Sequence, residues 1–313
     1  MASRNGREKQ REIARLSGQL LDSTLKALKR YGITPKRGLG QCYVVDPDLV
    51  SCILQTAKIG VGETVLEIGA GTGNLTEELA FAAGRVIAVE KEAKAAAALR
   101  DRFSVAGNVE VVNSDILLMD LPRVDKVVSN LPYSISTPIT FKLLLYGSFK
   151  SAVLTYQKEV ADRLDARAGG SQYSRLSVAV SLLAEVEKIR EFPPGSFYPR
   201  PKVSSTVVLM RKVKAGEGGI DWVKLDETLK VLFSQRRRKL RKALQTYSKM
   251  MGVEFGEVIA RVCEGIDPID LGRRVYELQP TEFVRLSRRL GDIGNGQCTQ
   301  ATTKQGRWMN DDD

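Results

Sequence analysis

Short apolar runs alternate with helical repeats along the first half of the chain. Residues 75–83 have helical spacing, and residues 92–103 form an alanine-rich repeat that also predicts a helix. Before, between and after these helices lie short apolar runs, at residues 64–68, 85–89, 109–112, 124–129 and 152–155. Because a strand covered on both faces has no polar side, such runs are typical of a buried parallel sheet. The alternation predicts an α/β fold with a doubly wound sheet.

The pattern changes in the second half of the chain. Residues 177–186 and 204–210 flank a proline-rich loop at 192–201, and a strand at 203–211 would close the sheet as an antiparallel pair. We therefore predict a Rossmann-like sheet of seven strands, of which the last is antiparallel. At the start of the chain, apolar residues at helical spacing predict a helix over 13–31.

Composition divides the chain into four regions. The glycine-containing segment 214–219 is typical of a linker, and residues 221–291 have helical spacing throughout. The last residues are polar and end in three aspartates, which predicts disorder. We predict a basic extension with a helix, an α/β domain, a small all-helical domain and a disordered tail, at residues 1–32, 33–213, 214–291 and 292–313.

The charge balance indicates a polyanionic partner. The 313 residues carry 48 lysines and arginines against 37 aspartates and glutamates, a net charge of +11. Such a surplus is typical of proteins that bind nucleic acid or an acidic membrane surface. No apolar run has the length that spans a bilayer, and the N-terminus lacks a signal-peptide core. We therefore expect a soluble cytoplasmic protein that is not bound to membranes.

Missing residue types restrict the chemistry. The sequence has no histidine, which excludes Ser-His-Asp and Cys-His catalysis and most catalytic zinc sites. The cysteines are scattered without a Cys-x-x-Cys pair, so we expect neither a metal site nor a disulfide framework. Any reaction must proceed without imidazole.

A glycine loop follows the first predicted strand. Gly69, Gly71 and Gly73 alternate with other residues, and glycines there let the backbone approach a ligand closely. The third glycine position of a dinucleotide-binding loop holds Asn74 instead. A dinucleotide needs a cradle for its pyrophosphate, whereas S-adenosylmethionine carries no phosphate. The loop therefore favours S-adenosylmethionine as cofactor.

Two carboxylates follow the next two strands. Glu90 ends the second strand, where an acidic group accepts hydrogen bonds from both ribose hydroxyls of a nucleoside. Asp115 follows the third strand and is placed to accept from the adenine amine of the cofactor. The alternative is that both residues only cap the helices that follow. Their consecutive strand-end positions behind a glycine loop favour a nucleoside site.

A tetrapeptide after the fourth strand supplies candidate catalytic groups, namely Asn130, Leu131, Pro132 and Tyr133. An adenine N6 amine is a weak nucleophile because its lone pair is delocalised, so it needs acceptors for its N–H groups. The asparagine side-chain carbonyl and the leucine backbone carbonyl are such acceptors, and the proline fixes where the leucine carbonyl points. The tyrosine offers a ring face to a flipped-out base. The alternative is an ordinary strand-to-loop turn.

A second aromatic residue would complete a sandwich around the base. Phe197 lies in a loop that Pro199 and Pro201 would stiffen, and we predict that its ring stacks on the target adenine. The alternative is that Phe197 is a hydrophobic plug at the end of the sheet.

Together these motifs resemble a known family. Over residues 33–290 the chain is similar to the KsgA/Dim family of small-subunit rRNA adenine N6,N6-dimethyltransferases, and to the related Erm methylases. The matching segments are the loop 36–46, the glycine loop, Glu90, Asp115, the tetrapeptide, residues 157–164, the Phe197 loop and residues 233–240. The chain departs from the family's usual residues at Cys42, Tyr43 and Ser204, where the family has asparagine or histidine, phenylalanine and aspartate.

The resemblance implies a class I methyltransferase fold and a specific reaction. The cofactor contacts that it implies are Cys42, Val44, Gly69, Glu90, Asp115 and Asn130. The enzyme would dimethylate two neighbouring adenosines near the 3′ end of small-subunit rRNA and act in ribosome maturation. Its partner would be this rRNA within a pre-30S-like particle, and the protein would be a monomer.

Clustered cations predict where RNA binds. Six cations lie within seven positions, namely Arg236, Arg237, Arg238, Lys239, Arg241 and Lys242. On a helix they would surround much of the circumference, so they cannot all be buried. They would contact RNA phosphates without reading the base sequence. Lys36 and Arg37 flank the cofactor entrance and extend the predicted RNA surface. The alternative is a solvated basic face.

Three other functions stay open at this stage. An Erm-type enzyme would act on large-subunit rRNA through the same chemistry, although the sizeable C-terminal domain favours the small-subunit enzyme. A catalytically silent assembly or transcription factor would retain the fold, but the intact glycine loop, Glu90, Asp115 and Asn130 argue against it. A DNA adenine methyltransferase more often carries Asp-Pro-Pro-Tyr and a separate target-reading domain.

Overall fold

A seven-stranded mixed sheet forms the centre of the first structural unit. The strands of the computed structural model are β1 (Tyr43–Val44), β2 (Thr64–Ile68), β3 (Arg85–Glu90), β4 (Val109–Asn113), β5 (Lys126–Asn130), β6 (Ser151–Gln157), β7 (Ala184–Phe192), β8 (Phe197–Tyr198) and β9 (Ser205–Lys212). The sheet has the order β4-β3-β2-β5-β6-β9-β7, and β1 pairs separately with β8. Within the sheet β9 runs antiparallel to both neighbours, while the other pairs are parallel. The predicted seven-stranded sheet with an antiparallel last strand is therefore confirmed.

The order of the strands reverses between β2 and β5. From β2 the sheet continues through β3 and β4 on one side and through β5 and β6 on the other. Such a reversal leaves a crevice at the carboxyl ends of the two central strands, where ligands of α/β proteins bind. The glycine loop follows β2 and the tetrapeptide begins at the end of β5, so both motifs start at this crevice.

Helices connect and cover the strands. They are α1 (Ala2–Tyr31), α2 (Pro47–Ala57), α3 (Asn74–Ala82), α4 (Ala93–Arg102), α5 (Ser136–Tyr146), α6 (Lys158–Leu164), α7 (Arg175–Leu183), α8 (Trp222–Ser234), α9 (Leu240–Met251), α10 (Phe255–Cys263) and α11 (Pro280–Gly291). The first helix, predicted over 13–31, begins at Ala2 instead. Its end packs on α4, because Leu28 and Ile33 form a buried cluster with Ala95 and Ala98.

The chain forms two compact units whose boundary differs from the predicted one. The first unit contains Met1–Ala161 and Ala184–Lys212, while Asp162–Leu183 belongs to the second unit with the chain from Val213 onwards. The prediction had placed residues 162–183 in the α/β domain. It was wrong here because Tyr173 and Val178 are buried in the apolar core of the helical unit.

The structure describes residues 2–36, 38, 40–213, 219–264 and 267–291, and of residues 2–14 only the backbone. The predicted disordered tail at 292–313 and most of the predicted linker lie outside the described residues. Across the described part of the chain, no helix has both the length and the apolar character needed to cross a membrane.

Candidate active site

A pocket lies at the carboxyl ends of β2, β3, β4 and β5. It brings together seven residues that the sequence predicted, namely Cys42, Gly69, Gly71, Glu90, Asp115, Asn130 and Pro132. The pocket wall also contains residues that sequence reasoning missed, among them Tyr43, Lys91, Glu92, Ile116 and Leu117. Each of these missed residues lies within two positions of a predicted residue in the sequence. That proximity in sequence was the signal that could have identified them.

The glycine loop is in close contact with two other walls of the pocket. Gly69 has a φ of +69°, and a Cβ placed on it would lie 2.8 Å from Cγ of Pro132. Gly71 has a φ of +60°, and its Cβ would lie 2.8 Å from the Tyr43 ring. Only glycine combines this left-handed backbone with such close approaches. The loop is therefore packed tightly against Pro132 and Tyr43, and both glycines line the pocket.

Glu90 is held by backbone donors on both sides. One carboxylate oxygen, Oε2, accepts from the N–H of Gly71 at 2.9 Å, and Oε1 accepts from the N–H of Glu92 at 2.8 Å. The side chain is buried, and this burial raises its pKa, opposed by these same backbone hydrogen bonds. A carboxylate oxygen can accept more than one hydrogen bond. Glu90 is thus fixed in orientation with acceptor capacity left for ribose hydroxyls.

Asp115 already has a cationic partner in the structure. Its Oδ2 lies 2.8 Å from Nζ of Lys91, and its Oδ1 accepts from the N–H of Leu117 at 3.0 Å. Burial alone would raise the pKa of Asp115, but the hydrogen bonds from Lys91 and Leu117 outweigh it and lower the pKa. The carboxylate is therefore ionised and can accept from an adenine amine, in competition with Lys91.

Both ends of the Asn130 amide are engaged. Nδ2 donates to the backbone carbonyl of Cys42 at 2.7 Å, and Oδ1 accepts from Oγ1 of Thr155 at 2.5 Å. Since a carbonyl can only accept, the Cys42 contact determines which end of the amide is the nitrogen. Thr155 is fully buried and lies opposite Asn130 in the register of β5 and β6. Sequence analysis missed Thr155, because only the strand register brings it to Asn130.

The other residues of the tetrapeptide do not all face the pocket. The Leu131 side chain is buried, so its backbone carbonyl is the group relevant to chemistry. Tyr133 is half-buried, its hydroxyl lies 2.6 Å from Oγ of Ser205, and burial raises its pKa. Gly40, with a φ of +62°, packs against the Tyr133 backbone, where a Cβ would be 2.9 Å away.

Two predicted residues lie in the protein core instead. Phe197 is only 1% exposed and belongs to the main apolar cluster of the first unit. In this arrangement the Phe197 ring has no face open to a base, which agrees with the alternative of a hydrophobic plug, and its stacking role stays a prediction. The Val44 side chain is buried in the same cluster, and its carbonyl accepts from Nδ2 of Asn74 at 2.8 Å.

The predicted RNA-binding cations of the second unit do not share one helix. Arg236–Arg238 form a turn after α8, Lys239 precedes α9, and only Arg241 and Lys242 are helical. Arg236 is half-buried and donates to the carbonyls of Gly170 at 3.3 Å and Ser171 at 2.9 Å. The exposed residues among the predicted cations are Arg237, Arg238, Lys239, Arg241 and Lys242. Arg274 is also exposed, and its guanidinium donates to the Arg237 carbonyl.

The cations predicted near the cofactor entrance have different outcomes. Lys36 is exposed, and its Nζ lies 4.0 Å from Oε1 of Glu92, which lines the pocket. Arg37 lies outside the described residues.

Among the residues whose side chains are described, no three histidine, cysteine, aspartate or glutamate side chains are grouped so that they could hold a metal ion.

Comparisons with known proteins identify similar chains. Residues 33–259 match a family model described as ribosomal RNA adenine dimethylase. A probable ribosomal RNA small subunit methyltransferase A of Methanothermobacter thermautotrophicus is 40% identical over 276 residues, which cover 88% of this chain and 97% of the relative. A protein of the same name from Thermococcus kodakarensis is 38% identical over 280 residues, covering 87% and 96% of the two chains.

Two solved structures are similar over most of the chain. A dimethyladenosine transferase from Plasmodium falciparum has a TM-score of 0.68 and 29% identity, and the match covers 80% of this chain and 98% of the other. The 23S rRNA methyltransferase ErmE has a TM-score of 0.56 and 27% identity, with coverage of 80% and 99%.

Proposed function

The chain belongs to the ribosomal RNA adenine dimethylase family, and we propose that it dimethylates the N6 amines of two adjacent adenosines in a 3′-terminal hairpin of small-subunit rRNA. Membership makes it an S-adenosylmethionine-dependent rRNA adenine dimethyltransferase, as the resemblance had implied. The observation that supports transfer to an adenine amine is the fixed amide of Asn130 at the edge of a pocket that also contains Gly69 and Glu90. The choice of small-subunit rRNA is supported by the names of the relatives.

The Asn130 and Leu131 carbonyls would bind the target amine. The Thr155 hydroxyl uses one acceptor position of Asn130 Oδ1 at 2.5 Å, which leaves the other for an N–H of the adenine. Pro132 has a φ of −59° and a ψ of 124°, and its ring restricts Leu131 to an extended conformation that sets the direction of its carbonyl. With both N–H groups bound, the nitrogen lone pair is directed out of the ring plane.

The pocket residues fit S-adenosylmethionine, which supplies an electrophilic methyl group when bound. Gly69 and Gly71 line the pocket and would lie beside its methionine half. Glu90 would accept from the ribose hydroxyls, and Asp115 from the adenine amine. What the protein contributes beyond binding is alignment of the amine for in-line transfer, for which no imidazole is required.

The small-subunit substrate is favoured over the large-subunit one. The Methanothermobacter and Thermococcus relatives, which match over most of both chains, are named as small-subunit methyltransferases. The exposed cations of the second unit would bind the rRNA backbone in a pre-30S-like particle, and the reaction would belong to small-subunit maturation. The cytoplasmic location and the monomeric state stay predictions.

The proposal is tested by following the methyl group. The protein is incubated with radiolabelled S-adenosylmethionine and small subunits that lack the modification, and in parallel with naked large-subunit RNA. We expect label in N6,N6-dimethyladenosine of the small-subunit rRNA alone. Label confined to large-subunit RNA would establish an Erm-type enzyme instead, and label on ribose or protein would contradict the proposed reaction at Asn130.

A further inference from the structure

The ammonium group of Lys142 binds three backbone carbonyls in the turn that follows β4. Its Nζ donates to the carbonyls of Ile116 at 2.9 Å, Leu117 at 2.8 Å and Met119 at 2.5 Å. An ammonium group has three donors, so these contacts use its full capacity. A lysine that is fully engaged by one short turn fixes the conformation of that turn.

This turn is a wall of the cofactor pocket. It begins at Asp115, whose carbonyl accepts from the N–H groups of Leu118 at 2.9 Å and Met119 at 3.1 Å. Asp115, Ile116 and Leu117 all line the pocket. Among the backbone hydrogen bonds of the described turn, none is accepted by the carbonyls of Ile116 and Leu117, and Lys142 donates to both. The position of the Asp115 carboxylate therefore depends on a side chain that does not itself line the pocket.

Lys142 also connects this wall to the tetrapeptide. It lies on α5, which follows the tetrapeptide after the short 3-10 helix Tyr133–Ile135. The side chain is partly buried, and burial lowers its pKa, opposed by Asp120 and Asp115. A buried ammonium group is costly unless its donors are satisfied, so its placement here is tied to these three carbonyls.

We propose that Lys142 is a positioning residue, which holds the turn at 115–119 in the shape that receives the adenine ring of the cofactor and ties that turn to the helix after the catalytic tetrapeptide. This inference rests on the proposed cofactor site. Lys142 acts through Asp115 and the turn, without touching the cofactor, so its effect is expected on cofactor affinity more than on the transfer step itself.

The test compares two Lys142 variants with a matched control in the full-length chain. Lys142→Met removes the donors and retains the apolar stem, while Lys142→Arg restores donors. Lys212→Met is the control, because Lys212 is also a partly buried lysine that donates to a backbone carbonyl, that of Gly147 at 2.8 Å, and neither residue lines the pocket. Titration calorimetry measures binding of S-adenosylhomocysteine and of S-inosylhomocysteine, in which an oxygen replaces the adenine amine.

We expect Lys142→Met to weaken S-adenosylhomocysteine binding about tenfold, with partial recovery in Lys142→Arg and no change in Lys212→Met. Binding of S-inosylhomocysteine should weaken less, because that ligand lacks the amine that Asp115 would accept from. In the cofactor-free protein, amide exchange at Leu118 and Met119 should accelerate in Lys142→Met alone.

Two results would overturn the inference. One is an unchanged dissociation constant in Lys142→Met, and the other is an equal loss in Lys212→Met, which would mean general destabilisation. A wild-type chain that binds neither ligand would overturn the proposed cofactor site as well, so the two failures are distinguishable.

Discussion

Asn130, at the end of β5, and Thr155, on the neighbouring parallel strand β6, form a side-chain hydrogen bond of 2.5 Å. The contact matters because Asn130 Oδ1 is the atom proposed to accept from the target amine. The Thr155 hydroxyl holds one side of that oxygen, and the Cys42 carbonyl holds the amide nitrogen at 2.7 Å. The amide cannot rotate without losing one of these bonds, so the acceptor is preorganised before the base arrives.

Replacing Thr155 with valine should therefore slow transfer without affecting cofactor binding. Valine has the same shape but no hydroxyl, so we expect kcat to fall about tenfold while the dissociation constant for the cofactor stays unchanged. Single-turnover methylation and calorimetry measure the two quantities. Thr155→Ser retains the hydroxyl and should recover most of the rate. If valine and serine reduce kcat equally, the hydrogen bond is not what positions Asn130.

Removing the Asn130 side chain should have a larger effect on the same step. In Asn130→Ala the acceptor for the amine is lost, and we expect kcat to fall by about two to three orders of magnitude. Cofactor affinity should change little, because Gly69, Glu90 and Asp115 are retained. Near-normal turnover in this variant would remove Asn130 from its proposed role.

Alanine at Gly69 should disturb the pocket itself. The new Cβ would lie 2.8 Å from Cγ of Pro132 in a left-handed backbone, so either the loop or the tetrapeptide must move. We expect cofactor affinity to fall about tenfold or more, measured by calorimetry. Gly107→Ala is the control, since a Cβ there meets nothing within 4 Å. Equal affinity in both variants would contradict the tight fit described for the loop.

Glu67 should make the stability of the protein depend on pH. It is fully buried, and burial raises its pKa to about 8, although the polar neighbours Thr76 and Arg102 oppose this. Among the described residues no donor reaches its Oε2. Because the folded state binds the proton more tightly than the unfolded state, Glu67 lowers stability as pH rises from the unfolded pKa towards 8.

Glu67→Gln removes this titration. We expect the variant to gain stability relative to the wild type between pH 5 and about pH 8, by up to a few kcal/mol, with no further gain above that. Urea unfolding of the cofactor-free protein at several pH values measures the difference. The exposed Glu187→Gln should show no such trend. A constant difference across this range would mean that Glu67 is ionised in the folded protein at neutral pH.

The basic residues of the second unit should separate into two roles. Arg238 is exposed, and Arg238→Gln should weaken RNA binding and reduce the slope of log affinity against log salt by about 1. Arg236→Gln should instead lower the melting temperature, because its guanidinium donates to Gly170 and Ser171. Filter binding at several salt concentrations and thermal unfolding distinguish the two. Identical behaviour of both variants would contradict the division.

The sequence by itself determined the sheet and the neighbourhood of the site. Apolar runs without a polar face require strands covered on both sides, and helical repeats between them require parallel connections. Because the carboxyl ends of parallel strands meet at one edge, Gly69, Glu90, Asp115 and Asn130 had to lie near one another wherever the sheet formed. The apolar runs and the residue types at each strand end are local properties of the sequence, each decided within a few residues.

Tertiary structure alone decided which atoms meet across long stretches of chain. The pairing of β1 with β8 buries Phe197, which a loop between prolines gives no reason to expect. Strand register brings Thr155 to Asn130, and packing in the helical unit engages Arg236 with Gly170 and assigns residues 162–183 to that unit. Such contacts depend on the fit of side chains that are distant in sequence, and no short-range pattern of residue types encodes that fit.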